Sequence, residues 1–332
     1  MRRSTRFALV APLAFLVLHC TSNGDLPQEE NPTPLPTRKD SGGGGTREDA
    51  GPTPDDGGSD TSAPSACDVT KPFGAPVRVL DFDANTHRAS PRFSADELTI
   101  YFTTNSPTNS SELTMASRAS KSGPFAGETV LPQSTVDAEN DPTVGADGLT
   151  LWFHSLRNGS ADLFLATRAA PSGPFGAAMV VPTANGATTI EATAYFRTSA
   201  SELYFVSERT GSALLDVYVS KKSGSAFSTP KLVPELSSAG DELSPMVTED
   251  GLTAIFGSDR AAGGKGKEDI WIAHRASDAV PFSVPSPLTE LNSASTEQPG
   301  WISADGCRIW FSSGRDTADA RQQIFYAVRP PL

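Results

Sequence analysis

The sequence predicts an all-β protein, a five-bladed β-propeller with four antiparallel strands in each blade. Two observations carry this prediction. Within each repeated segment, apolar and polar residues alternate with a period of two, which marks β-strands. The segment itself occurs five times, and repeats of about 50 residues made of short strands and turns are typical of propellers, one blade per copy. The five copies begin at Ser90, Asp141, Glu191, Ser244 and Gln298.

The step between copies is nearly constant. We take one residue in each copy as the start of the unit, and these residues lie 51, 50, 53 and 54 positions apart. Units of nearly equal length are expected when each one forms the same structural element. The five marker residues are Pro91, Pro142, Ala192, Pro245 and Pro299.

The first two strands of each blade are predicted to form a hairpin. The second strand alternates clearly, as in Leu98, Ile100 and Phe102 on one face. The turn before it reads Asp-Gly in three copies, and Asp-Gly favours the positive φ angles of a tight hairpin turn. Blades 1 and 3 have Asp96-Glu97 and Ala200-Ser201 instead, which predicts different turns there.

The third strand of each copy ends in a basic residue. A turn that contains Phe follows in four copies, and a short fourth strand follows that turn. The fifth copy stops after its third strand, at Arg329, while a matching Phe turn and strand lie at residues 72–80. We therefore expect the N-terminal strand to complete the last blade, which closes the ring and removes an exposed sheet edge.

These residues resemble a known repeat family. The pattern P-x-x-S-x-D-G-x-x-I-x-F-x-S-x-R, followed by D-I-W, is similar to the PD40 (WD40-like) repeat of TolB-type propellers. It matches best at residues 245–271 and 299–325, and the resemblance covers residues 72–330. It implies a periplasmic or cell-surface propeller that serves as a scaffold for protein contacts. A repeat identifies a blade and not an activity.

The N-terminal region reads as an export signal and a tether. Residues 1–20 contain three Arg, then an apolar run, then Cys20. The run is too short for a stable membrane span, and its end resembles a bacterial lipoprotein signal, although His19 stands where a small residue is expected. The alternative is a secretory signal cut a few residues later. Residues 21–66 are rich in Pro, Gly and Asp and are predicted to be a disordered tether, so the propeller occupies residues 67–332.

Charge limits the class of partner. The chain has 27 Lys and Arg against 39 Asp and Glu. The propeller region alone has 21 basic and 30 acidic residues, a net charge of −9. An acidic surface repels phosphate backbones, so nucleic acid is not an expected partner. We expect a monomer at the cell envelope, in contact with the membrane only through the lipid anchor, with an envelope protein or peptide as partner.

Cysteine usage predicts one disulfide. If Cys20 carries lipid, Cys67 and Cys307 remain as a pair in an oxidising compartment. The bond would join the closing segment to the blade that it completes. The alternative is a buried Cys307 and a free thiol at Cys67.

Acidic residues recur just before the first strand of the blades. If that strand lines the central channel, these carboxylates ring one mouth and could bind a cation or a basic segment. The alternative is that each one hydrogen-bonds loop backbone or the neighbouring blade. The residues are Glu139, Asp141, Glu191, Asp241, Glu242 and Glu297.

A second repeated charge follows the second strand. Arg157, Arg209, Arg260 and Arg315 occur there, and we expect them to pair with the acids that open the third strand and so fix the intervening loop. Those acids are Asp162, Asp216 and Asp269.

The pattern argues against catalysis. Catalytic acids are expected to break a repeat, and these acids mostly follow it. No G-x-S-x-G motif occurs, the four His have no ligand-like spacing, and GGKGKED at residue 263 lacks the Ser or Thr of a phosphate loop. We expect no cofactor, no metal and a non-catalytic binding or scaffolding role. The alternative is a carbohydrate-active enzyme or sugar-binding propeller that uses carboxylates at the channel mouth.

Overall fold

A computed structural model describes residues 67–105, 110–209, 211, 214–261 and 263–332. The predicted signal (1–20), Cys20 and the predicted tether (21–66) lie outside the described residues. The strands are β1 Val77–Arg78, β2 Arg88–Phe93, β3 Thr99–Asn105, β4 Ser111–Ser117, β5 Ala126–Val130, β6 Glu139–Val144, β7 Thr150–Ser155, β8 Asp162–Thr167, β9 Met179–Val180, β10 Glu191–Arg197, β11 Glu202–Ser207, β12 Asp216–Ser223, β13 Ala226–Phe227, β14 Lys231–Leu232, β15 Glu242–Val247, β16 Thr253–Ser258, β17 Asp269–His274, β18 Ser286–Pro287, β19 Glu297–Ile302, β20 Arg308–Ser313 and β21 Gln323–Val328.

These strands form five antiparallel sheets, which are the five blades of a propeller. Blade 1 has the order β2-β3-β4-β5, blade 2 β6-β7-β8-β9 and blade 4 β15-β16-β17-β18. In blade 3, β10-β11-β12 is completed by β13 and β14, which both pair with β12. The innermost strands β2, β6, β10, β15 and β19 contact one another in cyclic order, so they line the central channel.

Blade 5 is closed by the N-terminal strand, as the sequence predicts. Its order is β1-β21-β20-β19, with Val77 opposite Tyr326 and Arg78 opposite Phe325. Cys67 and Cys307 form a disulfide with their Cα atoms 5.6 Å apart. Cys67 comes close to Cys307 because it pairs with Pro331, beyond the end of β21. The residues after Cys67 then pass the β19–β20 turn, where Val69 lies near Gly306.

The apolar core is a ring of five interfaces between neighbouring blades. Each buried cluster joins residues of two blades, since both faces of a blade pack against a neighbour. Between blades 1 and 2, for example, Tyr101 and Leu113 pack with Phe153 and Phe164. Blades 5 and 1 are joined in the same way, by Trp310 and the residues around it. The ring is therefore continuous across the point where the chain begins and ends.

The basic residue that ends the third strand joins two turns of its own blade. In blade 2, the Arg168 Nε donates to the Gly148 carbonyl at 2.6 Å, and its guanidinium lies 4.2 Å from the centre of the Phe175 ring. Blades 1, 4 and 5 repeat this arrangement, which explains the recurring Arg and Phe. The other pairs are Arg118–Phe125, Arg275–Phe282 and Arg329–Phe73.

The structure corrects two assignments. Strand pairing places Ala194 and Gly300, not Ala192 and Pro299, at the position of Pro91, because each of these residues directly precedes the residue at which pairing resumes after the bulge. The turn of blade 1 matches the Asp-Gly turns, since Glu97 adopts φ 62° where Gly148 has φ 70°. Blade 3 does differ, with a 3₁₀ turn at Thr198–Ala200.

Candidate functional site

Four of the predicted mouth carboxylates are structural. In blade 4, the Glu242 side chain is fully buried and accepts hydrogen bonds from Ser258 Oγ at 3.0 Å and Arg260 Nη2 at 2.9 Å. It also accepts the Ser238 N–H and hydroxyl. We call this arrangement a Glu–Ser–Arg pin. The pins are Glu139–Ser155–Arg157, Glu191–Ser207–Arg209, Glu242–Ser258–Arg260 and Glu297–Ser313–Arg315.

The pins replace the ion pairs that we expected for these arginines. The prediction that they pair with the acids of the third strand is wrong, because the first residue of the innermost strand lies closer. Asp162 instead accepts from Asn158 Nδ2 at 3.0 Å, and Asp269 accepts the backbone N–H of Lys265 and Gly266. Asp241, another predicted mouth residue, accepts the Leu215 N–H at 2.8 Å. Of the six predicted acids, the structure therefore brings only Asp141 over the channel.

A bulge in each innermost strand aims one side chain over the channel. Ser90, Asp141, Thr193 and Ser244 occupy this position with φ between 48° and 55°. A positive φ is uncommon for residues with a Cβ, so four occurrences at one position mark a designed feature of the repeat. The Ser90 hydroxyl donates to Asp141 Oδ1 of the next blade, so side chains at this position meet between blades. We call these four residues and Pro299 the mouth ring.

Asp141 is the charged member of the mouth ring. Its Oδ2 lies 3.1 Å from His154 Nδ1, and the two side chains are 13% and 12% exposed. Burial disfavours the carboxylate, but the contact with His154, the hydrogen bond from Ser90 and the charge of Arg92 outweigh it. They hold the pKa of Asp141 below its ordinary value. Asp141 is therefore an ionised carboxylate that its neighbours stabilise.

The next ring toward the hairpin turns fills the channel. It consists of Arg92, Thr143, Tyr195, Met246 and Trp301. Arg92 donates to the Gly300 carbonyl, and its guanidinium lies 5.7 Å from the centre of the Tyr195 ring across the channel. Burial lowers the pKa of Arg92 to about 10, so the side chain stays charged at neutral pH.

Glu268 is a site residue that sequence reasoning missed. It precedes β17, is 8% exposed, and accepts a hydrogen bond from Gln298 Nε2 at 3.2 Å. A Cβ at Gly257 would lie 2.4 Å from Glu268 Oε1, so this glycine makes room for the carboxylate. Burial is the main cause that raises the pKa of Glu268 to about 8, and the nearby carboxylate of Asp141 adds to it. The sequence carries no clear signal for it, because the loop of residues 259–268 is only one residue longer than the corresponding loop of blade 5.

A separate cleft opens at the other end of the innermost strands, between blades 1 and 2. Its volume is about 760 Å³, and Tyr101, Val130 and Phe175 contribute to its wall. At the matching place between blades 3 and 4, Arg197 crosses the boundary and pairs with Asp278 at 2.8 Å. Blade 1 has Ser94 at the position of Arg197. The corresponding residues of blades 2, 4 and 5 are Gly145, Thr248 and Ser303, so a small residue is usual at this position and Arg197 is the exception.

The described residues contain neither a cluster suited to a metal ion nor a helix suited to a membrane. In that part of the chain, no three His, Cys, Asp or Glu side chains are grouped as they would be around a metal ion. The described residues also contain no helix with the length and apolar character needed to cross a membrane.

Comparison with known proteins supports the fold. No protein-family model matches the chain, and no curated protein matches it in sequence. Among solved structures, the chain is similar to the α-L-arabinofuranosidase PaAbf62A from Podospora anserina, with a TM-score of 0.53, 13% identity, and coverage of 80% of this chain and 99% of that one. A family 117 glycoside hydrolase from Zobellia galactanivorans gives a TM-score of 0.51, 14% identity, and coverage of 79% and 91%.

A third structure is that of a protein described as TolB from Agrobacterium tumefaciens. It gives a TM-score of 0.46 at 12% identity, and the match covers 71% of this chain and 76% of that one. At such low identities the two likenesses with TM-scores above 0.5 establish the β-propeller fold and leave the activity open.

Proposed function

We propose that this chain is a non-catalytic propeller of the bacterial cell envelope that binds a protein or peptide. The observation that carries the proposal is that the repeated carboxylates hold the blades together and do not face a cleft. Four of them are fully buried in Glu–Ser–Arg pins and serve the blades. The resemblance to PD40 repeats supports a role as a scaffold, and the net charge of −9 in residues 67–332 favours a basic partner.

A glycoside hydrolase is the second candidate, and one observation favours it. The pKa of Glu268 is raised to about 8 while that of Asp141 is lowered, which is the division expected of an acid and a base. Two of the similar structures are glycoside hydrolases. The low exposure of both side chains argues against it, because the reaction needs carboxylates on both sides of an open cleft. Hydrolysis of aryl glycosides by the wild type, lost in Asp141→Asn, would establish this candidate.

The binding role is tested by capture from the envelope. We expect the tagged full chain, cross-linked in an envelope extract of the source cells, to retain one protein in near-stoichiometric amount. Excess untagged chain should displace that protein, since binding at a defined site is saturable. Mass spectrometry identifies it. Retention of no protein above the level of an unrelated tagged propeller would contradict the proposal.

We also propose that Cys20 carries the lipid that holds the chain at the membrane. Detergent phase partitioning should place the wild-type protein in the detergent phase and Cys20→Ser in the aqueous phase, because acyl chains favour the apolar phase. Ser41→Ala, which keeps Cys20 and the disulfide, is the matched control and should partition like the wild type. Wild-type protein in the aqueous phase would disprove lipidation.

A further inference from the structure

Three buried oxygen atoms at the channel mouth have no hydrogen-bond partner in the described residues. They are Thr193 Oγ1, Ser244 Oγ and Glu268 Oε1. The three residues are only 4%, 1% and 8% exposed. Leaving a buried polar atom unpaired is costly, so each of these atoms calls for a partner.

The three atoms belong to one region of the mouth. Thr193 and Ser244 occupy the mouth ring in adjacent blades, the position at which Ser90 and Asp141 contact each other. Glu268 Oε1 lies over Gly257, and Gly257 pairs across the sheet with Leu243, the residue before Ser244. The structure therefore sets two hydroxyl oxygens and one carboxylate oxygen around the same part of the ring.

Glu268 also forms no ion pair with any residue that the structure describes. Its hydrogen-bond partner in the described residues is the neutral Gln298, and the charged groups that act on it, Asp141, Asp259 and Glu297, are all acidic. On its own loop, Lys265 Nζ is held by the Thr289 carbonyl at 2.6 Å, and Lys267 is exposed. A buried carboxylate without a counter-charge is unfavourable, and a positive group at the mouth would correct this.

The chemistry of these three oxygen atoms favours one kind of ligand. A primary ammonium has three N–H donors and no acceptor, and the two hydroxyl oxygens and the carboxylate oxygen can each accept one of them. A calcium ion takes roughly six to eight oxygen ligands, more than these residues offer. We propose that the channel mouth binds a primary ammonium group, between Thr193, Ser244 and Glu268. This rests on the proposed binding function and names the chemical group that the partner presents.

Direct binding to the purified full chain tests the site. The probes are acetyl-Gly-Gly-Lys-Gly-Gly-amide, the same peptide with an acetylated lysine, and butylammonium chloride, each followed by calorimetry or NMR titration. We expect the lysine peptide to bind at least about tenfold more tightly than its acetylated form, which loses a charge-assisted hydrogen-bond donor. Binding of butylammonium as tight as that of the peptide assigns the site to free amines, and weaker binding assigns it to a lysine side chain. Equal affinity for the two peptides, or no binding of any probe, overturns the proposal.

Variants separate the site from general charge effects. Glu268→Gln keeps the shape of the side chain and should weaken binding of the lysine peptide by about tenfold or more. Asp316→Asn is the matched control, because Asp316 is an exposed acid in the corresponding loop of blade 5, and it should change affinity by less than about twofold. Ser244→Ala should weaken binding as well, and thermal melts confirm that each variant is folded. Wild-type affinity in Glu268→Gln overturns the proposal.

The pH dependence gives an independent readout. Glu268 must be ionised to bind the ammonium, and its pKa is raised to about 8, while a lysine ammonium keeps its proton to about pH 10. Affinity should therefore rise from pH 6 to pH 9 in the wild type and stay level in Glu268→Gln. A flat wild-type profile contradicts the role of Glu268. Failure of every amine probe while a partner is still captured would refute this inference alone, and amine binding without a captured partner would refute the proposed function alone.

Discussion

Deletion of residues 72–82 is expected to abolish the cooperative fold of the propeller. The deleted segment contains β1, which covers the outer edge of blade 5, and three buried side chains, Phe73, Val79 and Phe82. Burial of each contributes about 2 kcal/mol, so roughly 6 kcal/mol is lost before the exposed edge of β21 is counted. Domains have free energies of unfolding of about 5–15 kcal/mol, so a loss of this size is comparable to the whole stability of many domains.

Calorimetry and near-ultraviolet circular dichroism of the deletion variant measure this loss. We expect no sharp heat-absorption peak and a weak aromatic signal. Phe73 packs in the interface between blades 4 and 5, and Phe82 packs in the interface between blades 5 and 1. The control is a permuted chain in which residues 67–82 follow Leu332 through a short linker, which should restore the melt. A deletion variant that melts like the parent would show that β1 does not hold the ring closed.

Loss of the Cys67–Cys307 bond is the second large effect. The bond closes a loop of 240 residues, and in the chain-entropy model a loop of this length is stabilised by about 5 kcal/mol. Removal of a native disulfide typically costs about 2–5 kcal/mol. We therefore expect the double variant Cys67→Ala, Cys307→Ala to unfold at clearly lower urea concentration than the parent.

Urea unfolding in a Cys20→Ser background gives the measurement. Dithiothreitol should lower the midpoint of the parent and leave the double variant unchanged, because only the parent has a bond to reduce. Thiol titration of the unfolded, unreduced Cys20→Ser protein should find no free thiol. Two free thiols, or equal midpoints with and without reductant, would contradict a stabilising disulfide.

The blades were predictable because their signals are local. The alternation around Ile100 and Phe102 and the Asp-Gly turns can be recognised within a few residues. The fivefold repeat shows the same pattern five times, so each copy supports the assignment of the others. The register of the innermost strand was not predictable in blades 3 and 5. A bulge adds a residue there without a fixed sequence signal, so Pro299 resembles the marker proline although Gly300 occupies its place.

The site was predictable only in part. Asp141 was found because it lies two residues after the repeated Glu139, although no other blade has an acid at its position. Glu268 depends on Gly257 in β16 and on Gln298 in blade 5, residues that meet only after the ring has formed. The hydroxyls of Thr193 and Ser244 look unremarkable in a strand, and their importance comes from having no partner in the folded chain.

The disulfide also decides how the molecule carries load. A chain held at its N-terminal end and pulled from the propeller transmits tension through residue 66 into Cys67. Without the bond, that tension would peel β1 from β21 one hydrogen bond at a time, the weakest mode in which a sheet can be pulled apart. With the bond, the force passes at Cys67 into Cys307 and the start of β20, and the closing strand lies outside the path of the load. The seam of the ring is thereby shielded from mechanical stress.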